Sequence, residues 1–181
     1  MTLIDTPVQG AHVIDIEPET DERGFFAVSW GRKEWESRGL NPRIARCALS
    51  FNRLRGTLRG MHYQAKPREE AKLVRCTMGA IYDVVLDVRR ESPSFRRWFG
   101  VELSAESRRM MYVPEGVAHG FITLLDASEV FYQISQDYDP ESARGVRWDD
   151  PAFGIGWPAP PRVISRRDAS YPDWVRDEER P

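Results

Sequence analysis

Two of the chain's three histidines lie in compact runs: His62 in Arg59-Gly60-Met61-His62-Tyr63-Gln64, and His119 in Pro114-Glu115-Gly116-Val117-Ala118-His119-Gly120-Phe121. Both runs read as strands. Extended backbone sends alternate side chains to opposite faces, so Leu58, Gly60, His62 and Gln64 are expected on one face and Arg59, Met61 and Tyr63 on the other. Glycine beside His62 on that face leaves room for a ligand. An imidazole that titrates near neutral pH suits proton transfer, whereas a hydrogen-bonded core histidine is the structural alternative. On this run alone the two readings stand level.

The same alternation, applied strand by strand, gives three further sets that can share an interior. They are Lys72, Val74 and Cys76; Val117, His119, Phe121 and Thr123; and Val130, Tyr132 and Ile134. Each set carries one ionisable group into an apolar wall, and the convergence of imidazole, ammonium, imidazole and phenol points to a site. A metal centre fits poorly. Gln64 stands two residues after His62, where a second histidine ligand would be expected, and Lys72 would oppose a dication. A base, an ammonium and a phenol suit proton abstraction next to a carbonyl. His62 takes the carbon-bound proton, Lys72 stabilises the enolate, and Tyr132 returns a proton to the opposite face with inversion. Asp168, in Ile164-Ser165-Arg166-Arg167-Asp168, either orients a histidine or forms a loop cap or surface ion pair.

The 181 residues carry a formal net charge of -2, which conceals a basic segment. Between Asn41 and Arg75 stand nine basic residues against two acids, Glu69 and Glu70, a local balance of +7. Within an acidic chain this favours a local anion such as a diphosphate over an extended nucleic-acid face. The composition, 41% hydrophobic and 30% charged with a mean hydropathy of -0.54, is that of a globular protein. No apolar run approaches the roughly 20 residues of a spanning helix, and Met1 to Gly10 has no secretory pattern. Membrane association is therefore not expected, and the cytoplasm is the expected compartment. Cys47 and Cys76 are expected as reduced thiols without a chemical role.

Positioning these groups falls to many short strands. Residues 8–16 suit a first strand, 24–30 a second, and 31–39 a short helix closed by Gly39 and Pro42. Strands are then expected over 44–51, 57–64, 72–78, 80–88, 98–103, 110–113, 117–124 and 129–136, separated by turn residues such as Arg55-Gly56 and Ser92-Pro93-Ser94. The pattern predicts one all-β domain over 1–181, an antiparallel sandwich or barrel with short peripheral helices. Strand 80–88 is expected half-buried, with Tyr82, Val84, Leu86 and Val88 on one face and Ile81, Asp83, Val85 and Asp87 on the other. From Tyr138 onward the chain is an irregular excursion over the barrel, pinned by Trp148 and Trp157. Trp174 falls in an expected mobile tail, 173–181.

An ordered series of motifs then stands out. It comprises Asp21-Glu22-Arg23-Gly24-Phe25-Phe26, Leu58-Arg59-Gly60-Met61-His62-Tyr63-Gln64, Lys72-Leu73-Val74, Asp83-Val84-Val85-Leu86-Asp87-Val88-Arg89, Ser92-Pro93, the Pro114 to Phe121 run, Tyr138-Asp139-Pro140 and Asp150-Pro151. Between Gly10 and Pro172 the chain resembles the dTDP-4-dehydrorhamnose 3,5-epimerases of the cupin superfamily. The resemblance implies a cofactor-independent, metal-free jelly-roll homodimer acting on a nucleotide-linked 4-keto-6-deoxysugar, with no nucleic-acid partner. It makes His62 the base, Asp168 its support, Tyr132 the general acid, and Lys72 and His119 pocket residues. It adds Arg23, Phe26, Arg59 and Arg167 as substrate contacts and Tyr138 as a stacking surface for the base. Arg59, opposite in parity to His62, then needs a strand-end position or a site completed across a dimer interface. Val28, Cys47, Leu49 and the Phe51-Asn52-Arg53 run depart from the resembled pattern, which leaves the sugar, the nucleotide and the number of inverted centres open. A 3,4-ketoisomerase and a non-catalytic nucleotide-sugar-binding cupin are the rivals.

Overall fold

The computed structural model describes residues 1–174. Strands β1 (Thr2–Asp5), β2 (His12–Asp15), β3 (Glu19–Asp21) and β4 (Gly24–Phe26) precede helix α1 (Arg32–Ser37). Then follow β5 (Arg46–Asn52), β6 (Thr57–Gln64), β7 (Lys72–Met78), β8 (Ala80–Asp87), β9 (Trp98–Ser104), β10 (Met110–Val113), β11 (Val117–Thr123) and β12 (Ser128–Ile134). The C-terminal part holds β13 (Ala143–Gly145), β14 (Val163–Ile164) and helix α2 (Arg166–Ala169). One sheet runs β1-β2-β10-β7-β12-β5 and the second β13-β6-β11-β8-β9, while β3 and β4 form a separate hairpin. All pairings are antiparallel except β14 with β6. From β5 to β13 the chain crosses between the two layers at every step except β8 to β9, which makes the expected antiparallel jelly roll.

The core lies between the sheets. Val13, Val74, Met111 and Val130 of the first sheet meet Ile81, Val85, Val117 and Phe121 of the second. Their β-branched and aromatic side chains suit a pleated, buried surface. Trp35 of α1 packs with Ile14, Leu73 and Met110 on the outside of the first sheet. At 1% exposure it is the anchor of that helix; truncation to alanine would cost about 3–5 kcal/mol.

Several expectations change here. The strand foreseen over 8–16 is β2 alone, because Ala11 N–H bonds back to the Val8 carbonyl and closes a turn that leads from β1. Strand β8 is buried on both faces. Ile81 and Val85 enter the core, while Val84 and Leu86 lie under Val146 and Phe153 of the C-terminal excursion. A covering segment with little periodicity of its own thus removes the expected solvent face. Trp157 helps to pin that segment, donating its indole N–H to the Trp148 carbonyl at 2.8 Å. Asp173 and Trp174 do not behave as a tail: Asp173 pairs with Arg147, and Trp174 packs against Phe153 with its N–H on Asp150. The rest of the tail foreseen over 173–181 lies outside the described residues.

Candidate active site

Strand β6 departs locally from regular pairing. His62 pairs with His119, but Arg59 pairs with Phe121, so three steps along β6 match two along β11. One residue bulges. Residues directly opposite share a face, so Arg59 joins His62 on the inner side with Phe121, while Leu58 pairs with Ile122 on the outer side. Strict alternation had placed Leu58 and Gly60 inside and Arg59 outside; the bulge reverses both assignments and removes the need for a special position for Arg59.

The glycines explain why the bulge forms here. Gly60 has φ +144°, and a Cβ on it would lie 2.5 Å from Gly120 Cα. A Cβ on Gly120 would meet Met61 Sδ at 2.7 Å and the Arg59 carbonyl at 2.9 Å. Both glycines therefore permit close passage of two backbones, and the ligand room first inferred from Gly60 is not their role.

The inner faces enclose a cavity of about 650 Å³ at one end of the sandwich. Arg59, His62, Lys72, His119 and Tyr132 all line it, as do Tyr138, Arg167 and Asp168. His62 Nε2 lies 2.8 Å from Asp168 Oδ1, and the other carboxylate oxygen accepts the Gly60 N–H at 3.3 Å. The His62 side chain is 41% exposed and that of Asp168 only 7%, so the imidazole faces the cavity with the carboxylate behind it. Ser165 caps α2 by accepting the Asp168 N–H at 3.0 Å, which fixes the carboxylate's approach. Burial works to raise the Asp168 carboxyl, but the hydrogen bond and charge of His62 and the Gly60 amide outweigh it and hold it below its ordinary value. A carboxylate only accepts, so Nε2 carries the hydrogen and Nδ1 of the neutral ring is left as the base.

Across the cavity the Tyr132 hydroxyl makes no hydrogen bond to another described residue. Burial first, and the nearby Asp83 carboxylate second, raise it far above an ordinary phenol, with Arg59 opposing. It therefore stays protonated. The Tyr132 ring meets His119 edge-on at 6.1 Å, and His119 Nε2 lies 2.7 Å from Asp83 Oδ1. Lys72 Nζ donates to the His62 carbonyl at 3.3 Å and pairs with Glu70 at 3.0 Å, and Glu70 also pairs with Arg46 at 3.2 Å. Arg59 Nε donates to Asn52 Oδ1 at 2.8 Å, and Arg46 stacks over Tyr138 at 5.6 Å. Arginine and lysine thus share one cavity with an imidazole and a phenol.

Comparison with known proteins identifies the family. The family model described as dTDP-4-dehydrorhamnose 3,5-epimerase matches residues 5–175. The chain belongs to that family. A dTDP-4-dehydrorhamnose 3,5-epimerase of Shigella flexneri is 37% identical over 176 residues, covering 97% of each chain. The crystal structure of a dTDP-4-dehydrorhamnose 3,5-epimerase from Elizabethkingia anophelis superposes with a TM-score of 0.93 at 34% identity over 96% of each chain. That of a dTDP-4-dehydrorhamnose 3,5-epimerase from Bacillus anthracis, with TDP and PPi bound, gives 0.90 at 35% identity, covering 96% of this chain and 99% of the other.

Within this epimerase family member, eight of the ten residues singled out from sequence line one cavity: His62, Lys72, Asp168, Tyr132, Arg59, His119, Tyr138 and Arg167. Arg23 and Phe26 do not. They sit on the β3–β4 hairpin, where Arg23 pairs with Asp21 and Phe26 is 70% exposed. Sequence reasoning missed Asp83, Glu70 and Tyr171, whose ring stands edge-on to His62 at 6.3 Å. Asp83 did leave a signal, a carboxylate alternating with Ile81 and Val85 on one face. Among the described residues no group of three or more His, Cys, Asp and Glu side chains is placed to hold a metal ion. No helix among them is long and apolar enough to cross a membrane.

Proposed function

We propose that this epimerase acts on a nucleotide-diphospho-4-keto-6-deoxyhexose, with His62 as base and Tyr132 as acid. The observation that carries the assignment is a single cavity with the Asp168-bound imidazole on one side and the protonated Tyr132 phenol on the other. His62 Nδ1 removes the proton from the carbon next to the C4 carbonyl. The electron pair moves into the carbonyl to give an enolate, whose oxygen Lys72 stabilises with an N–H not held by Glu70 or the His62 carbonyl. Tyr132 reprotonates that carbon from the other face, inverting it; His62 then releases its proton to solvent and the Tyr132 phenolate takes one up from solvent, which restores both groups. The same cycle serves C3 and C5, since both flank C4. Arg59 and Arg167 hold the diphosphate, and Tyr138 stacks on the base.

The uncovered face of the first sheet supports a homodimer. Leu49, Phe51 and Phe131 point outward there beyond α1, and Leu49 and Phe51 are more than half exposed. A second copy packed on that face places Arg23 and Phe26 to complete the partner's cavity. The nucleotide substrate and the absence of cysteine pairing suit a one-domain cytoplasmic enzyme.

Incubation with dTDP-4-keto-6-deoxyglucose in deuterated water tests the assignment. Deuterium should enter C3, and also C5 if both centres react, with NMR showing the carbonyl still at C4. Failure to exchange with any keto-sugar nucleotide rejects it, and a product with its carbonyl at C3 replaces it with a ketoisomerase.

A further inference from the structure

One aromatic side chain touches both the base and the basic mouth of the cavity, yet takes no part in the chemistry above. Tyr171 follows α2 directly. Its ring lies flat on Gly145, where a Cβ would come within 2.0 Å of Tyr171 Cζ, and Gly145 is the register partner of His62. The ring meets the His62 imidazole edge-on, with centroids 6.3 Å apart and planes at 70°. Its hydroxyl accepts a hydrogen bond from Arg167 Nε at 2.9 Å. The Tyr138 hydroxyl, and after it that of Tyr171, hold the Arg167 guanidinium more firmly protonated.

We propose that Tyr171 is a positioning residue that holds the base and an anion-binding arginine in one register. The inference rests on the epimerase assignment above. The Asp168 contact fixes one nitrogen of the His62 ring but leaves the ring free to swing about that bond, and the edge-on phenol restricts the swing. A near-attack geometry tolerates little of it. Arg167, an exposed side chain on a four-residue helix, would otherwise sample many rotamers before gripping a phosphate; the Tyr171 hydroxyl holds it in place beforehand. Gly145 belongs to the same device, since any larger residue there would displace the ring.

Initial rates of epimerisation of dTDP-4-keto-6-deoxyglucose, measured over a range of concentrations, separate the two contacts. Tyr171→Phe keeps the ring but removes one of the two hydroxyls that hold Arg167, so KM should rise roughly three- to tenfold while kcat stays within about twofold. Tyr171→Leu removes the ring, so kcat should fall roughly tenfold or more, and the phenylalanine variant is the conservative rescue of that loss. Unchanged KM in Tyr171→Phe overturns the inference, as does wild-type kcat in a folded Tyr171→Leu. Should circular dichroism show the leucine variant unfolded, the KM of the phenylalanine variant decides alone. Turnover by the wild type in the same assay bears on the epimerase assignment and is independent of either variant.

Discussion

At the residue scale, the proposed base depends on a carboxylate that must stay ionised. Asp168→Asn keeps the shape but lets the amide donate to the ring, which favours the tautomer with its lone pair pointing away from the substrate. Activity should fall roughly 10²–10⁴-fold with the fold retained, as steady-state rates and circular dichroism together would show. The same carboxyl sets a pH dependence. Its folded-state pKa lies below its unfolded one, so its ionisation stabilises the fold above the ordinary carboxylate range, near pH 4. That contribution is lost as pH falls through the folded value. Thermal melts from pH 7 down to 3 should therefore show wild type losing more stability below about pH 4 than Asp168→Asn. Tyr132 has the opposite sign: raised by burial, it stays a proton donor at neutral pH.

At the scale of elements, the strand pattern was legible because alternation and turn residues are local properties. Strand β7 and strand β12 carry Lys72, Val74, Cys76, Val130, Tyr132 and Ile134 inward as alternation predicts. The bulge in β6 was not legible, since it arises from two glycines 60 residues apart that meet only after folding. Arg59 was consequently assigned to the wrong face. Glu70 was hidden for a similar reason: in a proline-containing loop nothing local announces that it will bridge Lys72 and Arg46. Gly120→Ala tests the crossing directly. Its methyl would press on the Arg59 carbonyl and Met61, at a cost of about 1–3 kcal/mol, and lower Tm by roughly 2–4 °C per kcal/mol. Activity should fall further than stability, because Arg59 and His62 leave register; a variant as active as wild type would speak against the bulge as the device that aligns them.

At the scale of the whole molecule, the two sheets divide the work. The second carries His62 and the bulge, with Asp168 behind it on α2, and the first carries Tyr132 and Lys72, so the proposed reaction needs both layers held face to face. The uncovered outer side of the first sheet is where a second copy is proposed to bind. Leu49→Glu combined with Phe51→Glu should shift the particle from dimer to monomer in light scattering and raise KM, since Arg23 and Phe26 would no longer reach a partner's cavity. A wild type that is already monomeric would contradict that part. The central claim is that one cavity delivers a proton from the face opposite to the one that loses it. It is tested most directly by following Tyr132→Phe with the keto-sugar nucleotide in deuterated water. Deuterium entering C3 with the original configuration retained, and no inverted product, is the result expected of a working His62 without its acid. Inversion at the wild-type rate in that variant would contradict the account.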